Sequence, residues 1–118
     1  MSKFYFFRQN NSGGCFEIDD IRGIGCNVII EADSAAHANE RAERIGLYFD
    51  GASSETDCPC CGDRWGEVCD DDGCKQPEMF GKPITEMFAD LFTTDVYVHH
   101  LNGSIERIIF PDKTKEAK

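Results

Sequence analysis

The 118-residue chain has no apolar run long enough to cross a membrane or to serve as a secretory signal. The aromatic run from Phe4 to Phe7 is shorter than the ~7–15 residues of a signal-peptide core and the ~18 of a membrane span. Basic residues are also few, 12 against 22 acidic ones, which gives a formal net charge of -10. Because such a surface repels phosphate backbones and anionic membranes, we expect a cytoplasmic protein that binds neither nucleic acid nor membrane directly.

Motifs for catalysis are missing from the sequence as well. It has no phosphate-binding loop, no paired serine and histidine with an orienting acid, and no zinc-deaminase pattern. Gly23-Ile24-Gly25 lacks the third glycine of a dinucleotide fingerprint and leads into a predicted strand. The sequence therefore favours a protein that is not an enzyme. An acidic surface can instead dock on a partner protein with a basic surface, including a site that normally holds nucleic acid.

Cysteines are what the sequence has in excess, and five of the seven fall between residues 58 and 74. In a reducing cytoplasm they are expected to be thiols and metal ligands rather than disulfides. The spacing Cys58-x-x-Cys61-Gly is typical of a knuckle that places two sulfurs on one zinc ion. We predict a Zn²⁺ site with four thiolate ligands: Cys58, Cys61, Cys69 and Cys74. Cys60, His99 or His100 could complete the second half of the site instead.

A closed four-thiolate site has no open coordination position, so this zinc would be structural rather than catalytic. Residues 52–82 show no sustained periodicity, and an irregular segment of that length needs something to hold it. We therefore interpret residues 52–82 as a metal-binding insertion. A metal-assisted hydrolase, with Asp63 or Glu67 as its acid or base, is a weaker alternative.

Hydrophobic periodicity predicts one α+β domain over residues 1–118. An alanine stripe after Asp33-Ser34 predicts the main helix, which should end at Gly46. A shorter helix is predicted over residues 84–92, and Asn102-Gly103 predicts a type I′ hairpin turn. Strands are predicted at residues 3–8, 15–18, 26–32, 96–101 and 104–110, with the first two forming an antiparallel pair. We therefore expect a small antiparallel sheet with one main helix packed on it, a zinc-stabilised loop insertion, and a frayed tail at residues 112–118.

Two groups of residues are candidates for binding. Arg64 and Trp65 follow the knuckle directly, and the indole could cover the metal loop or the core while the arginine pairs with a carboxylate. Alternatively, these two residues and Asp63 form a recognition surface at the edge of a rigid loop. The second group, Arg8, Asn10 and Asn11, could cradle an anion or could simply form a hairpin turn. If the two groups converge, they would supply cations and a stacking ring for a nucleotide.

Two segments of the sequence together resemble an uncharacterised family of small bacteriophage proteins. They are Phe4-Tyr5-Phe6-Phe7-x-Gln9-Asn10-Asn11-Ser12-Gly13-Gly14, and Tyr48-Phe49-Asp50-Gly51 leading to Asp57-Cys58-Pro59-Cys60-Cys61-Gly62-Asp63-Arg64-Trp65. The resemblance implies a context, a phage protein made inside a bacterial cell, where a common role is to disable a host defence component. We therefore expect an inhibitor that acts by protein–protein binding. The alternative is an oligomeric sponge that sequesters a nucleotide signalling molecule between protomers.

Overall fold

The computed structural model describes residues 2–10, 18–49, 64–89 and 93–111, and its elements form an α+β fold with one helix and a mixed sheet. The α+β prediction is therefore confirmed. Within these residues no helix is both long and apolar enough to cross a membrane. In chain order the elements are β1 (Lys3–Arg8), β2 (Asn27–Ala32), α1 (Ala35–Ile45), a 3₁₀ turn (Asp70–Asp72), β3 (Glu78–Met79), β4 (Lys82–Pro83), a second 3₁₀ turn (Ile84–Glu86), β5 (Asp95–His99) and β6 (Ile105–Ile109).

The main sheet has the strand order β1-β2-β5-β6. Strands β1 and β2 are antiparallel, as are β5 and β6, but β2 and β5 run parallel. The prediction of an antiparallel sheet is therefore wrong at its centre. Parallel neighbours need a long crossover, and the chain between β2 and β5 contains α1 and the cysteine-rich region. The pairing partner of β1 is β2, while most of the predicted strand at residues 15–18 lies outside the described residues.

Strand β2 is the centre of the fold because both of its faces are buried. Val28 and Ile30 pack in one apolar cluster with the alanines of α1, whereas Ile29 packs in a second cluster with Met79 and Ile84. Alternate residues of a strand point to opposite faces, so a continuous apolar run is what a strand with two covered faces requires. The sheet therefore lies between α1 on one side and the chain around β3 and β4 on the other.

Helix α1 follows its sequence signals closely. The Ser34 hydroxyl caps the first turn by accepting from the His37 N–H at 3.2 Å, and Gly46 ends the helix at a φ of 121°. Asp70, in the first 3₁₀ turn, accepts the Ala35 N–H at 3.0 Å and so adds a second cap from a distant segment. Ala38 and Ala42 are fully buried, and their small side chains let the helix axis approach the sheet.

The C-terminal hairpin is confirmed, but its turn differs from the predicted type. The Gly103 N–H donates to the His100 carbonyl and the His100 N–H donates to the Ser104 carbonyl, each at 2.9 Å. Gly103 has a φ of 94°, while Asn102 is not in the left-handed region. This is the three-residue loop in which a type I turn precedes a left-handed glycine, so the predicted type I′ turn is wrong.

The second predicted helix, over residues 84–92, is also wrong in its described part. Only the single 3₁₀ turn Ile84–Glu86 forms, and Met87 is extended at a ψ of 147°. The Ala89 N–H donates to the carbonyl of Pro111 at 2.8 Å, so this segment runs along the end of the hairpin instead. Ile84 and Met87 still pack on one apolar cluster, which explains why their spacing resembles a helical stripe.

The tight approach of α1 to the sheet gives a stability test. Replacing the buried Ala38 by leucine should lower the free energy of unfolding by about 1–3 kcal/mol, because the added side chain has no room. The matched control is Ala36→Leu, on the exposed side of the same helix. It should change the free energy of unfolding by less than about 0.5 kcal/mol. Urea unfolding measures both, and equal effects would mean that the alanine stripe is not tightly packed.

His99 gives a test of pH dependence. Its ring is buried and its Nε2 lies 2.7 Å from the Gly23 carbonyl oxygen. Burial lowers the pKa of His99 below its ordinary value, so the unfolded chain binds a proton more readily than the folded one. Stability should therefore fall as the pH drops from about 7 to about 5.5, through the ordinary pKa of histidine near 6.5.

The measurement is urea unfolding of wild type and His99→Gln across that pH window. The variant removes the buried ring, so its stability should depend less on pH. The control variant His37→Gln keeps the buried His99 ring, so its stability should depend on pH as that of the wild type does. Identical pH profiles for wild type and His99→Gln would contradict the assignment of the effect to His99.

Candidate functional site

The outer edge of β1 is closed at both ends, where its main chain is hydrogen-bonded to other segments, and open in the middle, where it is not. Phe4 exchanges main-chain hydrogen bonds with Cys74 at 2.8 and 2.9 Å, and the Asn10 N–H donates to the Arg64 carbonyl at 2.7 Å. Since outward-facing positions alternate along a strand, the N–H and C=O groups of Phe6 and Arg8 also point away from β2. Within the described part of the chain these outward groups have no hydrogen-bond partner.

A cleft of about 350 Å³ lies beside this open stretch of β1, and we call it the β1 cleft. Phe6 to Arg8 form one wall, and residues from the two segments 66–68 and 72–81 form the rest. Gly73 lets the second segment approach, because a Cβ there would lie 3.0 Å from the Cζ atom of the buried Tyr5. The volume is at the lower end of the ~300–1,000 Å³ that is usual for ligand sites.

Phe80 covers one side of the β1 cleft in a strained conformation. It is the only non-glycine residue of the described chain with a positive φ, 53°, and with Gly81 at 80° it forms the two-residue turn between β3 and β4. Its side chain is 56% exposed and packs edge-on against Phe6 at 5.3 Å between ring centroids. The Arg8 guanidinium lies 5.8 Å from the Phe80 ring centroid. Strain of this kind is concentrated at binding sites in proteins.

The remaining charges of the β1 cleft are acidic. Glu67, Asp72 and Glu78 line the cleft together with Arg8, so acidic side chains outnumber basic ones among its described lining residues. Burial, together with the nearby Glu78 carboxylate, raises the pKa of the Cys74 thiol. Without a bound metal ion the thiol is therefore held in its protonated form, which is a poor nucleophile. The cleft offers main-chain donors and acceptors, an aromatic ring and net negative charge, which suits a ligand with a cationic and an amide-like part.

The predicted zinc ligands are only partly within the described residues. Cys69 is exposed and Cys74 is half-buried, and they flank the 3₁₀ turn Asp70–Asp72. Cys58 and Cys61 lie outside the described ranges, so the four-thiolate site stays a prediction. Among residues 2–10, 18–49, 64–89 and 93–111, no three His, Cys, Asp or Glu side chains are grouped to hold a metal.

The two histidines weighed as alternative ligands have protein partners. The ring of His99 contacts the Gly23 carbonyl, and His100 lies 3.0 Å from the Glu106 carboxylate through its Nε2. Their adjacent positions at the end of β5 agree with ordinary strand residues.

Arg64 and Trp65 belong to the protein interior. Trp65 is 2% exposed and packs in the same cluster as the helix alanines, and Arg64 is 5% exposed. The Arg64 guanidinium donates to the Gln9 side-chain oxygen at 3.0 Å and to the Tyr48 hydroxyl at 3.2 Å. Their assignment as an exposed recognition pair is therefore corrected: the indole fills the core, as in the first of the two interpretations.

Within the part of the chain that the structure describes, the predicted binding residues do not share one pocket. Arg8 lines the β1 cleft, whereas Trp65 lines a different cavity near Gly46. Asn10 is exposed and its main chain is joined to Arg64. Asn11 and Asp63, the other two predicted binding residues, lie outside the described residues.

The sequence marks Arg8 as a binding candidate and Glu67 only as a possible acid or base of a hydrolase, and it gives no indication of Phe80 or Glu78. Phe80 and Glu78 lie in the region without periodicity, where no motif marks them. The one local signal is the glycine after Phe80, which permits a tight turn, but Phe-Gly is not the Asn-Gly or Asp-Gly pair that such turns favour.

Comparison with known proteins gives a family but no function. A family model described as a domain of unknown function (DUF7296) matches residues 2–116. No curated protein and no solved structure matches the chain. The expectation of an uncharacterised family is confirmed, while the bacteriophage origin stays a prediction. Because the match covers nearly the whole sequence, the chain belongs to the DUF7296 family.

Proposed function

We propose that this protein is a non-enzymatic binding protein, encoded by a bacteriophage, that inhibits a host defence factor by binding it in the β1 cleft. The observation that carries the proposal is the open stretch of β1, where the main-chain groups of Phe6 and Arg8 point into an acidic cleft. An extended segment of a partner can bind such an edge by adding main-chain hydrogen bonds, while neighbouring pockets select its side chains.

The closed ends of β1 limit the size of that segment. Phe4 and Asn10 are six positions apart, which corresponds to roughly 20 Å of strand. The open part between them has room for about three or four extended residues. A loop or a chain terminus of the partner fits this length better than a long strand does.

The carboxylates of the β1 cleft favour a basic segment. Glu67, Asp72 and Glu78 would attract lysine or arginine side chains, and the exposed Phe80 ring can stack on a guanidinium. The net charge of -10 would also steer a basic partner toward the protein. This is a narrower form of the general acidic-surface hypothesis, because it places recognition in one cleft.

The alternative proposal, a sponge for a nucleotide signal, is favoured by one pair of residues. Arg8 and Phe80 place a cation beside an aromatic ring in the same cleft, as a phosphate and a base would need. The three carboxylates oppose it, since they repel phosphate. Nucleotide released from the denatured protein and identified by mass spectrometry would support the sponge and contradict the binding of a basic protein segment.

The charge of the cleft can be tested directly. The double variant Glu67→Lys and Glu78→Lys should weaken capture of a host protein from bacterial lysate by at least about tenfold, because it reverses the attraction for a basic segment. Quantitative pull-down measures this, and capture by wild type should also weaken as salt is raised.

The matched control is Glu43→Lys with Glu86→Lys, which makes the same change in net charge at exposed positions outside the cleft. It should retain most of the capture. An equal loss in both double variants would mean that overall charge, and not the β1 cleft, determines binding. No effect of either variant would contradict the role of charge altogether.

The proposed structural zinc has its own test. Purified full-length protein should contain one zinc ion per chain by elemental analysis, and Cys58→Ser should lose it and unfold at a lower temperature. Cys26→Ser is the matched control, because Cys26 is a described cysteine outside the predicted set. Equal zinc in wild type and Cys58→Ser, or no zinc in wild type, would contradict the assignment.

A further inference from the structure

Strand β6 forms the other edge of the described sheet, and its outer side is unpaired. The His100 N–H donates to the Ser104 carbonyl at 2.9 Å, and the Phe110 N–H donates to the Thr94 carbonyl at 3.0 Å. The main-chain groups of Ser104 and Phe110 therefore point toward β5, and along the strand between them every second residue does the same. The main-chain groups of Ile105, Arg107 and Ile109 therefore point away from β5. In the part of the chain that the structure describes, these groups have no partner.

Strand β6 carries two charged residues, Glu106 and Arg107, but it lacks other features that normally prevent edge strands from pairing. The strand carries no proline, lysine or bulge, and the outer residues Ile105 and Ile109 are 45% and 67% exposed. Ile21, 93% exposed, lies in the loop whose Gly23 contacts Ile105. An apolar patch of isoleucines therefore borders a row of free main-chain donors and acceptors.

We propose that β6 binds the β6 strand of a second copy of this chain, in antiparallel register about a two-fold axis at Arg107. In this register Ile105 of one protomer lies opposite Ile109 of its partner, and the reverse holds on the other side of the axis. In this register the outward residues of one strand lie opposite the outward residues of the other. Each of the three therefore donates and accepts one main-chain hydrogen bond. The edge is thus complementary to itself, as a two-fold interface requires.

The charges on β6 favour a second copy over a charged partner strand. Arg107 Nε lies 2.8 Å from the Asp95 carboxylate, and its guanidinium lies 5.8 Å from the Tyr97 ring centroid, so its charge is compensated within its own protomer. On the opposite face, Glu106 contacts His100 at 3.0 Å. Two arginines can therefore meet at the axis without leaving an uncompensated charge. In a chain of net charge -10, this is an edge where another acidic copy can approach.

Salt separates this dimer from the proposed partner binding. Screening reduces the repulsion between two acidic protomers, so the dimer should strengthen as salt is raised. Binding of a basic segment in the β1 cleft should weaken under the same change. The two proposals use opposite edges of the sheet, and either can fail without the other.

Sedimentation velocity of the full chain tests the proposal. A species of twice the 13.2 kDa chain mass should form, and Ile109→Lys should weaken its formation by at least about tenfold. Ile18→Lys, the same change at an exposed isoleucine outside β6, should leave the dimer intact. A wild type that stays monomeric up to about 100 µM, or a dimer that both variants affect equally, would overturn the proposal.

Amide hydrogen exchange of the wild type, resolved by residue, supplies a readout that needs no variant. The amides of Ile105, Arg107 and Ile109 should gain protection as the protein concentration rises. Those of Glu106 and Ile108, which face β5, should be protected at every concentration. A dimer that forms without protecting the three outward amides, or protection that arises only from another bound protein, would overturn self-pairing.

Discussion

The structure depends on a few main-chain hydrogen bonds that hold the segment from Arg64 to Cys74 against the outer edge of β1. Each such bond contributes only about 0.5–1.5 kcal/mol, but together they determine where the segment lies. Cys74 pairs with Phe4 near one end of the strand and Arg64 pairs with Asn10 beyond the other. Trp65 then enters the core between the sheet and α1. The β1 cleft is the space that these contacts leave over the middle of the strand.

The acidic residues of this protein do not form one uniform surface. Some stabilise the fold: Asp70 caps α1, Asp95 compensates Arg107, and Glu31 accepts from the Ser2 hydroxyl and the Leu101 N–H, contacts that lower the pKa of its carboxyl group. Others, including Glu67 and Glu78, line the β1 cleft, where the Glu78 carboxylate accepts a 3.5 Å hydrogen bond from the Gln76 side chain. The net charge alone therefore says little about where a partner binds. The positions of the individual acidic residues on the strands and turns are what indicate where a partner could bind.

Sequence patterns predicted the elements whose signals are local. The alanine stripe between Ser34 and Gly46 marked α1, because capping and helical spacing are properties of neighbouring residues. Strands β1, β2, β5 and β6 were predicted from their β-rich runs for the same reason. The parallel pairing of β2 with β5 was not predicted, since an apolar strand does not encode its partner. The turn at Asn102-Gly103 was placed correctly but typed wrongly, because its hydrogen bonds depend on the register of the hairpin.

The candidate site was harder to predict than the fold, because its residues come from segments that are distant in the sequence. Arg8 was identified as a candidate, but the sequence left two interpretations of Arg64 and Trp65 open, and only the structure shows that both side chains are buried. Phe80 comes close to Phe6 only because β3 and β4 fold over β1, and nothing near Phe80 in the sequence indicates this.

The central claim is that a partner binds at the open middle of β1, and residue-resolved amide hydrogen exchange tests it most directly. The amides of Phe6 and Arg8 should exchange readily in the free protein, while those of Tyr5 and Phe7, which face β2, are protected. In the complex recovered from bacterial lysate, the Phe6 and Arg8 amides should become protected. If the complex forms while these two amides exchange as in the free protein, the β1 cleft is not the binding site.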